Sequence, residues 1–258
     1  MKIKSYAKVN VFLKIVGLRG SYHELVSRFV KVWNLFDKIS FEPKRDKGFK
    51  IEGNFHCDVK SNTIYKAYLL LKEKRAEIES FFDAYAVKVE KNIPEFAGLG
   101  GGSSNAASFL VLSNEVLSLN FTKDELAKMG EKIGADVPFF VYDYNSANVS
   151  GIGEIVEPFE EERLKFDIIT PPIKCDTAKV YRKFRENLKK GEDILKKNEE
   201  LASVLKELSS KEIMERFEPK TLNDLLSPAL LLCSGLDRYG KDMFFSGSGS
   251  SFFKVRDE

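Results

Sequence analysis

Ile93-Pro94-Glu95-Phe96-Ala97-Gly98-Leu99-Gly100-Gly101-Gly102-Ser103-Ser104-Asn105-Ala106-Ala107 is the stretch that decides how this chain folds. Four glycines, Gly98, Gly100, Gly101 and Gly102, fall within five positions, and Ser103, Ser104 and Asn105 follow them. Glycine takes positive φ at little cost and lets a ligand approach the backbone closely. Serine and asparagine favour helix starts, and residues 106–119 (AASFLVLSNEVLSL) have a helical composition. A glycine loop that opens a helix aims free N–H groups and the positive end of the helix dipole at one point, which suits a phosphate. A plain turn would not call for three glycines in a row.

Two familiar phosphate loops are excluded. The Walker A pattern ends in Gly-Lys-Ser/Thr, which occurs nowhere in the chain. The dinucleotide fingerprint G-x-G-x-x-G fits Gly98 and Gly100 but finds Ser103 in its third place. About 20 residues on, where that fingerprint needs an acidic residue to hold a ribose, Lys123, Asp124 and Glu125 read as a helix start. The loop is a third kind of nucleotide cradle.

The 258 residues suffice for one large or two modest domains. Net charge is +2, from 41 basic and 39 acidic residues, which argues against general nucleic-acid binding. Cys57, Cys175 and Cys233 are far apart, and with His23 and His56 they make no zinc set. A reducing, cytoplasmic setting fits. No apolar run reaches the roughly 18 residues of a membrane span, and MKIKSYAKVN has no signal-peptide core.

Residues 2–15 alternate with period two and predict a strand. Ile3, Ser5, Ala7, Val9, Val11, Leu13 and Ile15 share one face, and Lys8, Asn10, Phe12 and Lys14 share the other. Taken alone, Lys8 reads as a solvated strand lysine. Tyr22 and His23 sit in a turn, residues 25–42 read as strand, and 50–53 as a short strand. Ser61 and Asn62 are cap candidates for a helix over 63–82. A strand at 86–90 runs into the glycine loop. Thr122-Lys123-Asp124-Glu125 is a capping box for a helix ending near Gly134. Asp136, between that stop and Pro138, reads alone as a helix cap. Strands follow at 147–155 and 166–170, then a helix over 177–190 with Thr177 and Tyr181 on one face. Residues 186–220 read as charged helix, and 223–236 as a helix interrupted at Pro228. Two last strands, 243–245 and 251–255, flank Ser246-Gly247-Ser248-Gly249-Ser250, which is either a hairpin turn or a second wall of the phosphate site. No G-x-S-x-G nucleophile elbow supports a serine hydrolase.

Three motifs in order, Ala7-Lys8-Val9-Asn10, the loop from Pro94 to Ala107 and Ser246-Gly247-Ser248-Gly249, identify a resemblance to the galactokinase–homoserine kinase–mevalonate kinase–phosphomevalonate kinase superfamily. Tyr22-His23-Glu24-Leu25, Gly134-Ala135-Asp136-Val137-Pro138 and Gly151-Ile152-Gly153-Glu154 make the chain most similar to its branch in non-mevalonate isoprenoid precursor synthesis. The resemblance spans most of the chain and is densest before residue 160.

The resemblance implies an α+β, two-lobed small-molecule kinase fold with the active site in the cleft. An N-terminal α/β lobe (1–150) would bind ATP, and a C-terminal split βαβ, ferredoxin-like lobe (151–258) would contribute to the substrate site. It implies ATP-dependent phosphorylation of the 2-hydroxyl of a cytidine-diphosphate-linked methylerythritol, with ATP and Mg2+. Other readings are a mevalonate- or homoserine-type kinase, or a non-catalytic nucleotide sensor. Asp136 would accept the substrate hydroxyl proton, and Lys8 would pair with it and neutralise charge on the transferring oxygens. Pro94, Gly98, Leu99, Gly100, Gly101, Gly102, Ser103 and Ser104 would hold the phosphates, with Mg2+ near Ser103 or Ser104. Asn62, Lys91 and Asn105 would line the nucleoside end. Tyr22 and His23 would grip the cytosine with Tyr181 stacking on its other side, and Asn10 and Thr177 would contact the reacting half. The expected partners are small molecules, with no nucleic acid and no membrane, and the expected state is a cytoplasmic monomer or homodimer. Two departures stand out. The turn Arg19-Gly20-Ser21-Tyr22-His23 is one residue shorter than the family's and lacks its aspartate. The chain stops at Glu258, where the family commonly continues into another helix, so the resemblance implies a trimmed C-terminal lobe.

Overall fold

β1 (Lys2–Arg19) and β2 (Tyr22–Pro43) pair with each other and are 18 and 22 residues long. A usual strand has about 5–6 residues, so each can serve two cores in succession. The structure, a computed structural model, describes residues 1–188 and 193–256. It divides into two compact units that are not consecutive in sequence. The first holds Met1–Ala7, Leu35–Glu95 and Gly100–Asp143, and the second holds Lys8–Asn34, Phe96–Leu99 and Tyr144–Glu258. Residues 8–34 and 96–99 thus pack with residues that lie beyond 143.

The first unit also contains β3 (Ile51–Glu52), α1 (Thr63–Lys74), α2 (Glu77–Ala84), β4 (Tyr85–Glu90), α3 (Gly101–Val116), α4 (Lys123–Glu131) and α5 (Val137–Tyr142). β4 pairs antiparallel with β2, from Lys38↔Glu90 to Pro43↔Tyr85, and parallel with β3. The helix expected over 63–82 is two helices. Arg75 is extended (φ −144, ψ 114) and ends α1, with neither glycine nor proline to mark the break. Of the two candidate caps it is Asn62, not Ser61, that caps α1, its side-chain oxygen accepting the Ile64 N–H at 2.9 Å. The Thr122–Glu125 capping box is present at the start of α4. The core stacks Phe41 edge-on against Phe82 and Phe109, at 5.1 and 5.8 Å between ring centroids. Ile64, Leu71 and Val137 close it. Burying each such side chain contributes about 1.5–3 kcal/mol.

The second unit adds β5 (Ser146–Ser150), β6 (Ile155–Pro158), β7 (Phe166–Ile169), α6 (Thr177–Asn187), α7 (Ile194–Glu207), α8 (Ser210–Arg216), α9 (Pro219–Leu222), α10 (Leu226–Leu232), β8 (Phe244–Phe245) and β9 (Phe252–Val255). The strand expected over 147–155 is two, β5 and β6, which pair antiparallel with each other, and β5 also pairs with residues 27–30 of β2. β7, β9 and β8 form an antiparallel sheet of their own. α6 ends at Asn187, and residues 189 and 190 of the helix expected there lie outside the described residues. Pro228 does not interrupt its helix: it lies in the first turn of α10, where no N–H is required. The core gathers Leu13, Ile15, Val180, Leu225, Phe245 and Phe252. Among the described residues no helix is long and apolar enough to cross a membrane. The fold is α+β.

Candidate functional site

In the second unit the key strand is the middle of β1, where every residue from Lys8 to Ile15 is buried. Period-two alternation had made Lys8 a solvated lysine, but both faces of this strand are covered and Lys8 is 3% exposed. Its Nζ donates to Asn10 Oδ1 at 2.6 Å and to the Gly98 carbonyl at 3.3 Å, and lies 4.5 Å from the centre of the Phe29 ring. The Lys8 N–H donates to the Leu99 carbonyl at 3.0 Å, which ties the start of the glycine run to β1. Lys14, on the same face, meets the Asp224 carboxylate. Burial pushes that carboxyl above its ordinary value, and Lys14 pulls it back down.

Gly98 has φ +74, and a Cβ there would lie 2.1 Å from the Ser246 carbonyl oxygen. Only glycine fits. The Ser246 hydroxyl donates to the Gly98 carbonyl at 3.0 Å. Residues 246–250 are therefore both a hairpin turn, between β8 and β9, and a wall against the first loop. Asn223 holds this hairpin, donating from Nδ2 to the carbonyls of Phe245 (2.8 Å) and Gly247 (3.0 Å). Ser248 Oγ lies 2.7 Å from Thr177 Oγ1 at the start of α6.

Farther along α6, Tyr181 meets His23 with 5.1 Å between ring centroids and planes tilted by 44°. A ring sandwiched between two others needs about 7 Å, two contact distances, so in this geometry the expected cytosine sandwich is closed by Tyr181 itself. Tyr22 is 61% exposed and is not part of that ring pair. Arg185, one turn beyond Tyr181, donates to the carbonyls of Gly20 (3.0 Å) and Tyr22 (3.1 Å) and so pins the shortened turn. Burial, and then the Arg185 charge, hold the His23 imidazole below its ordinary value, so it is neutral at pH 7. His23 Nε2 is buried with no partner among the described atoms.

In the first unit, Gly100 is the left-handed N-cap of α3 (φ +71) and has no side chain to cap it. The helix begins at Gly101, not after Ser103, Ser104 and Asn105, which lie inside it. The Ser104 N–H already donates to the Gly100 carbonyl, so the N–H groups offered to an anion are those of Gly101, Gly102 and Ser103. A Cβ on Gly101 would lie 2.9 Å from Ile93 Cγ2, and Thr63 Oγ1 holds the Gly102 carbonyl at 2.7 Å. Gly134 lies beside Ser103: a Cβ there would be 3.7 Å from Ser103 Oγ. Two residues on, Asp136 is half-buried, takes a helical backbone conformation and makes no side-chain capping hydrogen bond. Asp136 thus holds the N-cap position of α5, with Pro138 just inside the helix as expected, but its side chain does not cap it.

Lys91 and Asn105 come together around a residue that sequence reasoning missed. Asp37, fully buried in β2, accepts from Lys91 Nζ, from Asn105 Nδ2 (2.8 Å) and from the N–H groups of Asn92 (2.6 Å) and Ile93 (2.8 Å). The second Asn105 amide proton goes to Ser5 Oγ at 2.9 Å, and Asn105 Oδ1 accepts from Lys91 at 3.1 Å. Ser5 Oγ lies 2.8 Å from Ser104 Oγ. These contacts lock the helix start from below and leave Asn105 no amide proton for a ligand. Ser104, 1% exposed and bonded to Ser5, is turned inward, which leaves Ser103 as the hydroxyl beside the cradle. The signal for Asp37 and Ser5 was a polar residue on an apolar strand, where aspartate is depleted.

A family model for the GHMP kinases N terminal domain matches residues 62–144. A 4-diphosphocytidyl-2-C-methyl-D-erythritol kinase of Sulfurimonas denitrificans is 50% identical over 268 residues, covering 100% of this chain and 99% of that protein. One of Sulfurovum sp. is 46% identical over 260 residues, covering 99% of each. A crystal structure of 4-(cytidine 5'-diphospho)-2C-methyl-D-erythritol kinase is similar at TM-score 0.73 and 28% identity, over 99% of this chain and 90% of that one.

Proposed function

The chain belongs to the 4-diphosphocytidyl-2-C-methyl-D-erythritol kinase family of the GHMP kinases, and on that basis we propose that it transfers the γ-phosphoryl group of ATP to the 2-hydroxyl of 4-diphosphocytidyl-2-C-methyl-D-erythritol, in the non-mevalonate route to isoprenoid precursors. The observation that carries this reading is the buried ammonium of Lys8 against the Gly98 carbonyl. A charge withdrawn from water beside a glycine loop has a use in neutralising a phosphoryl group and little use in stability.

Phosphoryl transfer asks the protein for positioning and charge stabilisation. The N–H groups of Gly101, Gly102 and Ser103 hold phosphate oxygens, and Lys91 and Asn105 brace that helix start through Asp37. Pro94, Gly98 and Leu99 complete the loop, and Asn62 lies at the nucleoside end. Asp136 orients the substrate hydroxyl and takes its proton, and Lys8 stabilises the charge on the transferring oxygens. Asn10 and Thr177 face the reacting half. His23, neutral and with a buried unpaired nitrogen, exchanges a hydrogen bond with the cytosine, beside Tyr22, once Tyr181 moves off the ring. Ser103 is the protein hydroxyl that would hold Mg2+, and the ion would supply charge to offset that of the phosphates. Residues 1–150 then carry the ATP cradle, the catalytic pair Lys8 and Asp136 and part of the substrate site, and residues 151–258 contribute Thr177 and Tyr181 to that site.

A coupled ATP, Mg2+ assay tests the reading with the cytidine substrate, mevalonate and homoserine side by side. Turnover of the cytidine substrate alone is expected. Turnover of mevalonate or homoserine in its place would overturn it.

A further inference from the structure

An amide side chain has an accepting end and a donating end of nearly the same shape, so something outside it must fix which end faces a neighbour. Asn10 is such a case. Its Oδ1 accepts from Lys8 Nζ at 2.6 Å, and its Nδ2 donates to Ser27 Oγ at 2.9 Å. Ser27 Oγ also contacts the backbone carbonyl of Phe12. A carbonyl oxygen only accepts, so the single hydroxyl proton of Ser27 goes to Phe12. Toward Asn10, Ser27 then has only lone pairs to offer. An acceptor at that place selects the NH2 end of the amide and turns its oxygen to Lys8. The three side chains are 0%, 2% and 3% exposed, for Ser27, Asn10 and Lys8, so water is not at hand to take over any of these bonds.

We propose that Ser27 is a positioning residue for phosphoryl transfer: by giving its proton to the Phe12 carbonyl it fixes the Asn10 amide, and through it aims the Lys8 ammonium. With the amide reversed, NH2 would face NH3+, donor against donor, and Lys8 would lose its strongest neutral anchor in this unit. The direction runs one way, from Phe12 through Ser27 and Asn10 to Lys8. The inference deepens the kinase reading above and depends on it for the role of Lys8.

Ser27→Thr and Ser27→Val form the decisive pair, because they differ in one hydroxyl and hardly in shape. For enzyme that remains folded by thermal melting, Ser27→Thr keeps kcat within about threefold of wild type, and Ser27→Val lowers kcat about tenfold or more, with KM for ATP and for the cytidine substrate within about twofold in both. Equal kcat in the two variants, high or low, overturns the proposal. A second readout does not need turnover. The Asn10 side-chain NH2 protons in a 1H–15N spectrum should exchange slowly in wild type and Ser27→Thr and quickly in Ser27→Val. If wild type does not phosphorylate the cytidine substrate, the substrate reading fails, and slow exchange that depends on the hydroxyl still upholds the relay. Exchange that does not depend on the hydroxyl overturns it.

Discussion

Two glycine–serine loops of similar composition face different tasks. Residues 98–104 contain left-handed Gly98 and Gly100, and residues 246–250 contain left-handed Gly247 and Gly249. The first runs into a 16-residue helix whose opening N–H groups have no capping side chain. The second closes a hairpin and turns its polar groups inward: Ser246 to the Gly98 carbonyl, Ser248 to Thr177 and Ser250 to the Pro171 carbonyl, while Asn223 holds two of its carbonyls. One loop presents donors and the other consumes them. The element that the glycines lead into, a helix or a strand, decides which kind of loop they make.

The largest effect separates holding from reacting. Asp136→Asn, outside both loops, should lower kcat by about 10^2 to 10^4 while the ATP dissociation constant stays within about threefold; isothermal titration beside the kinase assay measures both. Normal turnover would remove Asp136 as base. Next comes the point where the loops touch. Gly98→Ala places a Cβ 2.1 Å from the Ser246 carbonyl in a left-handed backbone, so it should cost several kcal/mol and impair the protein as a whole, seen in the melting temperature. Asn223→Ala acts on the inward-facing loop alone. It leaves buried carbonyls unsatisfied at about 1–3 kcal/mol, should lower stability, and should raise KM for the cytidine substrate more than for ATP. An equal rise in both KM values would mean that the two loops work as one.

The smallest effect is a pH dependence on the substrate side, where the second loop meets α6 through Thr177. His23 is held below its ordinary value by burial and by Arg185. On acidification the unfolded chain takes up the proton first, near pH 6.5, so the folded form loses stability as the pH falls below that value. Melting temperatures between pH 7.5 and 5.5 should therefore fall more for wild type than for His23→Asn. A parallel fall in the two would show that His23 contributes nothing.

Much of this was legible from local pattern. The β1 alternation, the glycine loop and the Thr122 capping box needed only near neighbours in sequence. Lys8 did not yield, because alternation implies one wet face and β1 here has two dry ones. Asp37 and Ser27 were hidden for another reason. The partners of Asp37 lie 54–68 residues away and those of Ser27 15–17 away, and no periodicity within β2 carries that information. The break at Arg75 lacks the punctuation of glycine or proline. Nothing in the helix expected over 177–190 singles out Arg185, and only the fold brings it to the turn before His23.

The order of synthesis gives the interleaved units a further meaning. The stretch from Lys8 to Ile15 leaves the ribosome among the first residues, yet Leu13 bridges to Asn223 and the Ile15 N–H donates to Asp224, 209 residues later. Asn198, which holds the Ile15 carbonyl, also arrives late. Lys8 finds its partners by residue 99, but the far end of the same strand waits for its own until nearly the whole message has been read. A chain cut short before Asn198 would leave the Ile15 N–H and carbonyl without the partners that satisfy them in the fold.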